Sequence, residues 1–102
     1  MAHHLVLGAG GIGRATAAAL SARGETVTLA SRSGTRVDLD GVTTMAVDAT
    51  DAHAVGRAAD GVATIVNAVS PANYTHWDRD WPPIARALLQ AAERSGAGLQ
   101  EP

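Results

Sequence analysis

Short apolar runs recur along the chain, separated by glycine-bearing turns and by longer stretches in which alanine keeps a helical spacing. Leu5-Val6-Leu7 is the first run and breaks off at Gly8. The stretch from about Gly11 to Ala22 then places Ile12, Ala15, Ala19 and either Ala22 or Leu20 on one helical face, and Arg23-Gly24 stops it. Thr26-Val27-Thr28-Leu29-Ala30 reads as a second strand. A connector from Val37 to Gly41, with Asp40-Gly41 as its turn signal, leads to a third strand from Val42 to Val47. Thr50 or Asp51 caps a short helix from about Ala52 to Ala59. Gly61 to Val69 is almost continuously apolar, as expected of a central parallel strand covered on both faces.

Ser70 to Arg79 is a polar loop carrying aromatics. Asp80 is then the expected N-cap of a last helix, with Pro82 and Pro83 in its first turn. Ile84, Ala87, Leu88, Ala91 and Ala92 form its inner stripe, and Ser95-Gly96 ends it. Gly98 to Pro102 looks like a fifth strand barely begun. This alternation predicts an α/β fold: a doubly wound parallel sheet of about four strands in order 3-2-1-4, with helices on both faces.

The first turn carries the most specific chemistry. Gly8, Gly10 and Gly13 follow the G-x-G-x-x-G spacing between a strand and a helix, with a second strand after it. The first glycine permits a sharp turn, the second leaves room for a pyrophosphate, and the third lets helix and strand approach. Unpaired N–H groups at the helix start, backed by the helix dipole, can hold phosphates. The pattern predicts a Rossmann-type, dinucleotide-binding turn spanning Gly8 to Gly13, Gly11 and Ile12 included.

At the end of the second strand an NAD-binding turn usually carries an acidic residue for the ribose 2′-OH. Ser31 and Arg32 stand there instead, with Arg36 further along the same loop. A guanidinium suits a 2′-phosphate, which a carboxylate would repel. NADP is therefore the expected cofactor, with NAD as the alternative. Asp38 and Asp40 come too late for the acidic role and read as turn residues. Asp48 either reaches toward an adenine amino group or serves the turn before the short helix, and the sequence leaves both open. Asn67-Ala68-Val69 lies at the carboxyl end of the fourth strand, where such sheets place ligands.

Composition narrows the class further. The chain has 102 residues, one modest domain. A net charge of −2 gives no footprint for nucleic acid or an anionic membrane surface. The apolar runs are too short to span a bilayer, and no cysteine is present, so a cytoplasmic location is expected. All eight basic residues are arginine. Chemistry that needs a lysine therefore has no residue here to run it. His3 and His4, adjacent on a strand, point to opposite faces and make a poor metal chelate, while His53 reads as a surface residue.

Gly8-Ala9-Gly10-Gly11-Ile12-Gly13-Arg14, Ser31-Arg32, Asp48-Ala49-Thr50-Asp51 and Val66-Asn67-Ala68-Val69 together resemble the amino-terminal part of the NAD(P)-dependent epimerase/dehydratase family, the extended or atypical short-chain dehydrogenase/reductases. Tyr74-Thr75-His76-Trp77, Trp81-Pro82-Pro83 and Leu88 to Glu93 are similar to a bacterial subgroup of sugar-epimerase-like reductases. The resemblance implies that Gly8 to Gly13 hold a pyrophosphate and Arg32 the adenosine ribose side. It also implies that Asp48-Ala49 sit by the adenine and Asn67-Ala68-Val69 by the nicotinamide half. Arg14 stands where extended members have a last glycine.

Family members continue well beyond this length and carry a Tyr-x-x-x-Lys acid/base pair. Here Tyr74 is followed four residues on by Asp78, so it is not that tyrosine. On this reading, residues 1–102 form a partial cofactor-binding domain, truncated before the catalytic half and inactive alone, with a small-molecule substrate only in a full-length protein. The open edge of the fourth strand would then invite self-association. Two other readings remain: a non-catalytic redox-sensing nucleotide-binding module, and a fragment of a saccharopine-dehydrogenase-like reductase. Sensors of the first kind usually carry an acid after the second strand, and Tyr74 to Trp77 argues mildly against the second.

Overall fold

The computed structural model describes residues 2–69 and 76–100. The expectations for Tyr74 and for the rest of the loop at 70–75 lie outside them. The elements run β1 (His3–Leu7), α1 (Gly11–Ala22), β2 (Thr26–Ser31), β3 (Val42–Ala46), α2 (Ala52–Ala58), β4 (Thr64–Asn67), α3 (Trp77–Ser95) and β5 (Gly98–Gln100). All described strands are parallel and lie in the order β3-β2-β1-β4-β5. The expected 3-2-1-4 core is present, and the sheet gains a fifth strand. Thr64, Ile65 and Val66 of β4 pair with Gly98, Leu99 and Gln100, so the edge of β4 expected to be open is covered.

Alternation along β1 divides the core in two. Leu5 and Leu7 join Ala30, Val47, Val55, Ile65, Ile84 and Leu88 under α2 and α3. Val6 points the other way, into a smaller cluster with Ala17, Val27, Leu29 and Ala68 beneath α1. Burial on both faces explains why β1 and β4 read as near-continuous apolar runs. The fourth strand is shorter than the Gly61 to Val69 expected. Gly61 has φ +77° and Val62 N–H closes a turn onto the Ala59 carbonyl, so the chain only joins the sheet from Ala63, whose N–H donates to the His3 carbonyl.

Two helix assignments need correction. On α1 the buried positions are Gly13 and Ala17, with Leu20 partly covered, whereas Ala15, Ala19 and Ala22 are exposed and Ile12 is 59% exposed. The helix approaches the sheet at Gly13, and that contact sets which face turns inward. On α3 the N-cap is His76 rather than Asp80, which falls in the first turn, and Pro82 and Pro83 stand in the second. The helix starts early because Trp77 and Trp81, one turn apart, stack at a centroid distance of 5.2 Å and pack on the main core. The prolines remove the N–H groups that would reach the Asp78 and Arg79 carbonyls, and both of those residues are exposed to water. The inner stripe is as expected: Ile84, Ala87, Leu88 and Ala91 are buried, and Ala92 packs beside them. Gly96, with φ +73°, ends the helix.

The two N-terminal histidines do diverge. His3 has its ring nitrogens 2.7 Å from the hydroxyls of Thr26 and of Thr28. His4 Nε2 lies 3.0 Å from Glu25 Oε1, and Arg23 lies 3.7 Å from the other Glu25 oxygen. The β2–β3 connection, residues 32–41, contains no helix. Parallel strands are usually joined through one. Here Val37 and Leu39 cover the sheet in its place. Among the described residues no helix is long and apolar enough to cross a membrane.

Candidate functional site

A cleft of about 240 Å³ opens at the carboxyl ends of β1, β2 and β4. This is the place where open parallel sheets take ligands. Its floor and walls come from the glycine turn, the loop after β2 and the segments following β3 and β4.

The glycines do separate jobs. Gly8 has φ +113°, and a Cβ there would run into the Ala68 carbonyl. Its N–H donates to the Ala30 carbonyl at 2.7 Å, tying the turn to β2. A Cβ on Gly13 would strike the Gly8 carbonyl. Both glycines are therefore required by the fold itself. Gly10 is different: its φ of −75° and ψ of −167° suit any residue, and a Cβ there meets nothing within 4 Å. The protein leaves that space open, beside the start of α1. Among the described residues no side chain caps that helix start, and its first turn holds no acidic residue. The N–H groups of such a turn lack helical partners and favour an anion. The donor set thus fits a pyrophosphate. Arg14, where extended relatives would have glycine, donates through Nε to the Ala9 carbonyl at 2.9 Å and braces the turn.

The loop after β2 is a second polar wall. Thr35 N–H donates to Ser31 Oγ at 3.2 Å, Gly34 N–H to the Ser31 carbonyl at 3.3 Å, and the Ser33 and Thr35 hydroxyls lie 2.7 Å apart. Gly34, with φ +66°, allows the reversal. Arg32 is exposed and lines the cleft. Among the described residues no carboxylate lines it.

Asp48 serves the turn before α2: its Oδ1 accepts from Thr50 N–H at 2.9 Å and from the Thr50 hydroxyl at 2.7 Å. Those Thr50 bonds, with the Arg32 charge as a smaller help, hold its carboxyl below the usual range. Asp51 is the cap of α2, accepting from His53 and Ala54 N–H at 3.1 and 3.2 Å.

Of the residues singled out in the sequence, Gly8, Gly10, Ser31, Arg32, Ala49 and Val69 line the cleft. Gly11, Ile12 and Gly13 stand on the first turn of α1, next to it. Arg36 lies instead along a groove beside β3. Asn67 is only 3% exposed, and its Oδ1 accepts from Val69 N–H at 3.2 Å, which fixes the turn after β4. Ala68 is buried, its carbonyl against Gly8. Ala9, within the glycine turn, lines the cleft too, and so do Leu7, Ala30, Ser33, Thr35 and Val47, which the sequence reading missed. Ser33 and Thr35 were legible as hydroxyls within the loop already marked by Ser31 and Arg32. Val47 was legible as the end of a strand beside Ala49.

A parallel sheet flanked on both faces by helices, with a glycine turn opening onto its carboxyl edge, defines a Rossmann-like nucleotide-binding module. The chain belongs to the NAD(P)H-binding family, whose model matches residues 8–98. Solved structures of the epimerase/dehydratase type superpose on it, as the resemblance implied. Uronate dehydrogenase from Agrobacterium tumefaciens is 26% identical, with a TM-score of 0.76 over 94% of this chain and 38% of its own. A mutant of that dehydrogenase has been solved in complex with NAD. A protein from Burkholderia pseudomallei, provisionally described as exported, is 27% identical, with a TM-score of 0.74 over 98% of this chain and 46% of its own. An epimerase from Bacteroides thetaiotaomicron, itself provisionally assigned, shares the fold at 15% identity, with a TM-score of 0.79 over 98% of this chain and 46% of its own. The chain thus spans less than half the length of these proteins. No curated protein matches it significantly.

Proposed function

We propose that this chain is the cofactor-binding portion of an epimerase- or reductase-type oxidoreductase and that it takes NADP(H) in preference to NAD(H). The observation that carries the preference is the loop after β2: Ser31, Arg32, Ser33 and Thr35 line the cleft where an NAD-binding turn would place a carboxylate. In this reading the turn from Gly8 to Gly13 holds the pyrophosphate. Arg32, with Ser31, takes the ribose 2′-phosphate, while Arg36 stands on the separate groove beside β3. Asp48 and Ala49 border the adenine. Val69 borders the nicotinamide half, and Asn67 and Ala68 shape that border from behind.

A bound dinucleotide would supply hydride transfer, and the residues described here would bind and orient it. The chain has no lysine and its one tyrosine is followed by Asp78 at the lysine's place, so a Tyr-x-x-x-Lys pair is not among its residues. Substrate chemistry would accordingly need residues beyond these, and the 102-residue chain is inactive by itself in this reading. A cytoplasmic location belongs to the same proposal, because the reduced dinucleotide pool is there; fractionation of cells carrying the tagged protein checks it.

Isothermal titration of NADPH and NADH into the wild type and Arg32→Ala tests the preference. Loss of a hydrogen bond to a charged group is worth about 1.5–3 kcal/mol, roughly a 10- to 150-fold drop in NADPH affinity. NADH affinity should hardly move. An unchanged NADPH/NADH ratio in the variant refutes the assignment.

A further inference from the structure

The second surface feature of the molecule is the outer edge of β3. This strand closes one side of the sheet, and no described element lies beside it. Backbone parity shows which groups it offers. The Gly41 carbonyl accepts from Val27 N–H, and Val47 N–H donates to the Ser31 carbonyl, so the odd-numbered positions address β2. Successive residues of a strand alternate, so Val42, Thr44 and Ala46 direct their backbone groups outward. The Val42 N–H is taken by the Leu39 carbonyl at 3.2 Å. Among the described residues, Thr44, Ala46 and the Val42 carbonyl have no such partner.

Edges like this are normally blunted by charge, proline or a bulge, or covered by another element. The sequence Val42-Thr43-Thr44-Met45-Ala46 carries no charge and no proline, and the connection touches it only at its ends, the Leu39 carbonyl at Val42 and Gly34 against Ala46. Thr43, Met45 and Ala46 are exposed, Met45 at 37%. The helix-free connection leaves a groove alongside, lined in part by Arg36 and Asp38. Neither of these enters an ion pair with a described residue.

We propose that this edge is an interface for a second copy of the chain, with the two β3 strands antiparallel about a two-fold axis at Thr44. The parity fits that axis. Thr44 and the partner's Thr44 exchange both N–H···O bonds, and Ala46 N–H donates to the carbonyl of the partner's Val42. Thr43 then faces the partner's Met45, which covers the most exposed apolar side chain of the strand.

The charges fit as well. Gly34 lies against Ala46, and the Leu39 carbonyl holds Val42 N–H, so the connection runs back along β3. Arg36 therefore lies toward the Ala46 end and Asp38 toward the Val42 end. A two-fold axis at Thr44 exchanges the ends and sets Arg36 opposite the partner's Asp38. A net charge of −2 leaves little repulsion between copies.

Sedimentation velocity over a range of micromolar concentrations tests this on the 102-residue chain. The wild type should show a concentration-dependent dimer. Thr44→Pro should be monomeric with its circular dichroism retained, because the N–H it removes makes no bond to a described residue. Asp38→Arg should weaken the dimer by about tenfold or more, and adding Arg36→Asp to it should restore association. Should Thr44→Pro lose its fold, the charge pair alone decides. A wild type that stays monomeric overturns the proposal. So does a dimer insensitive to Asp38→Arg, or one that the charge exchange fails to restore.

Discussion

Gly10 and Gly13 sit three residues apart in one turn, and the structure gives opposite expectations for adding a single methyl group to each. In Gly13→Ala the new Cβ would overlap the Gly8 carbonyl, backbone that cannot swing aside. Relief requires α1 to back away from β1, loosening Ala17 and Leu20 from Val6 and Leu29. Overpacking of this kind costs about 1–3 kcal/mol. In a chain of this size each kcal/mol lowers the unfolding midpoint by about 4–8 °C. Gly13→Ala should therefore unfold several to some twenty degrees below the wild type, with or without ligand.

In Gly10→Ala the Cβ meets nothing within 4 Å, and the backbone angles are ordinary. Two small terms oppose one another. Reduced freedom of the unfolded chain stabilises by about 0.4–1 kcal/mol. Replacing glycine at an N-cap by alanine loses a comparable amount, since alanine is a poor cap. The midpoint should stay within a few degrees. Affinity for NADPH should fall instead, because the methyl group occupies the space left for the pyrophosphate beside the helix start; at least about tenfold is expected from one displaced charge-assisted contact. Thermal unfolding by circular dichroism and titration calorimetry on the two variants separate the cases. Wild-type NADPH affinity in Gly10→Ala would refute the reading of that space, and wild-type stability in Gly13→Ala would refute the steric argument for the fold.

The His4–Glu25 contact gives a pH signature. The hydrogen bond to His4, aided by its charge and that of Arg23, lowers the Glu25 carboxyl pKa, so its ionised form stabilises the fold above the unfolded-state pKa and that contribution is lost as pH falls through the folded value. Urea unfolding should show Glu25→Gln less stable than wild type at neutral pH, with the gap closing in acid; a gap that widens in acid contradicts the assignment. Asp51→Ala removes the cap that accepts from His53 and Ala54 N–H and should cost about 1 kcal/mol, read as earlier amide exchange in α2 than in α1.

What the sequence disclosed follows from where steric demand is sharp. Gly8 and Gly13 are dictated by carbonyls a few ångströms away, and a spacing pattern captures that demand without any tertiary knowledge. The phase of α1 was hidden because Ala15, Ala17, Ala18, Ala19 and Ala22 put similar side chains on every face, leaving periodicity little contrast to report. Gly13 held the answer, since the residue that permits close approach must itself face the sheet. The start of α3 turned on Trp77 stacking with Trp81, a contact between side chains that a rule about prolines and caps does not include. β5 contributes only three residues, too few for alternation to declare itself, and its pairing depends on how α3 returns the chain to β4. Asn67 ends a central strand, the position at which a sequence expects a residue to reach for a ligand. Its parity with Ile65, two residues earlier and wholly buried, already directed its side chain inward, where it holds Val69 N–H rather than lining the cleft. At the end of a strand, position alone does not make a residue part of the site; the face it shares with its neighbour at i−2 decides whether it touches the ligand or shapes the backbone that does.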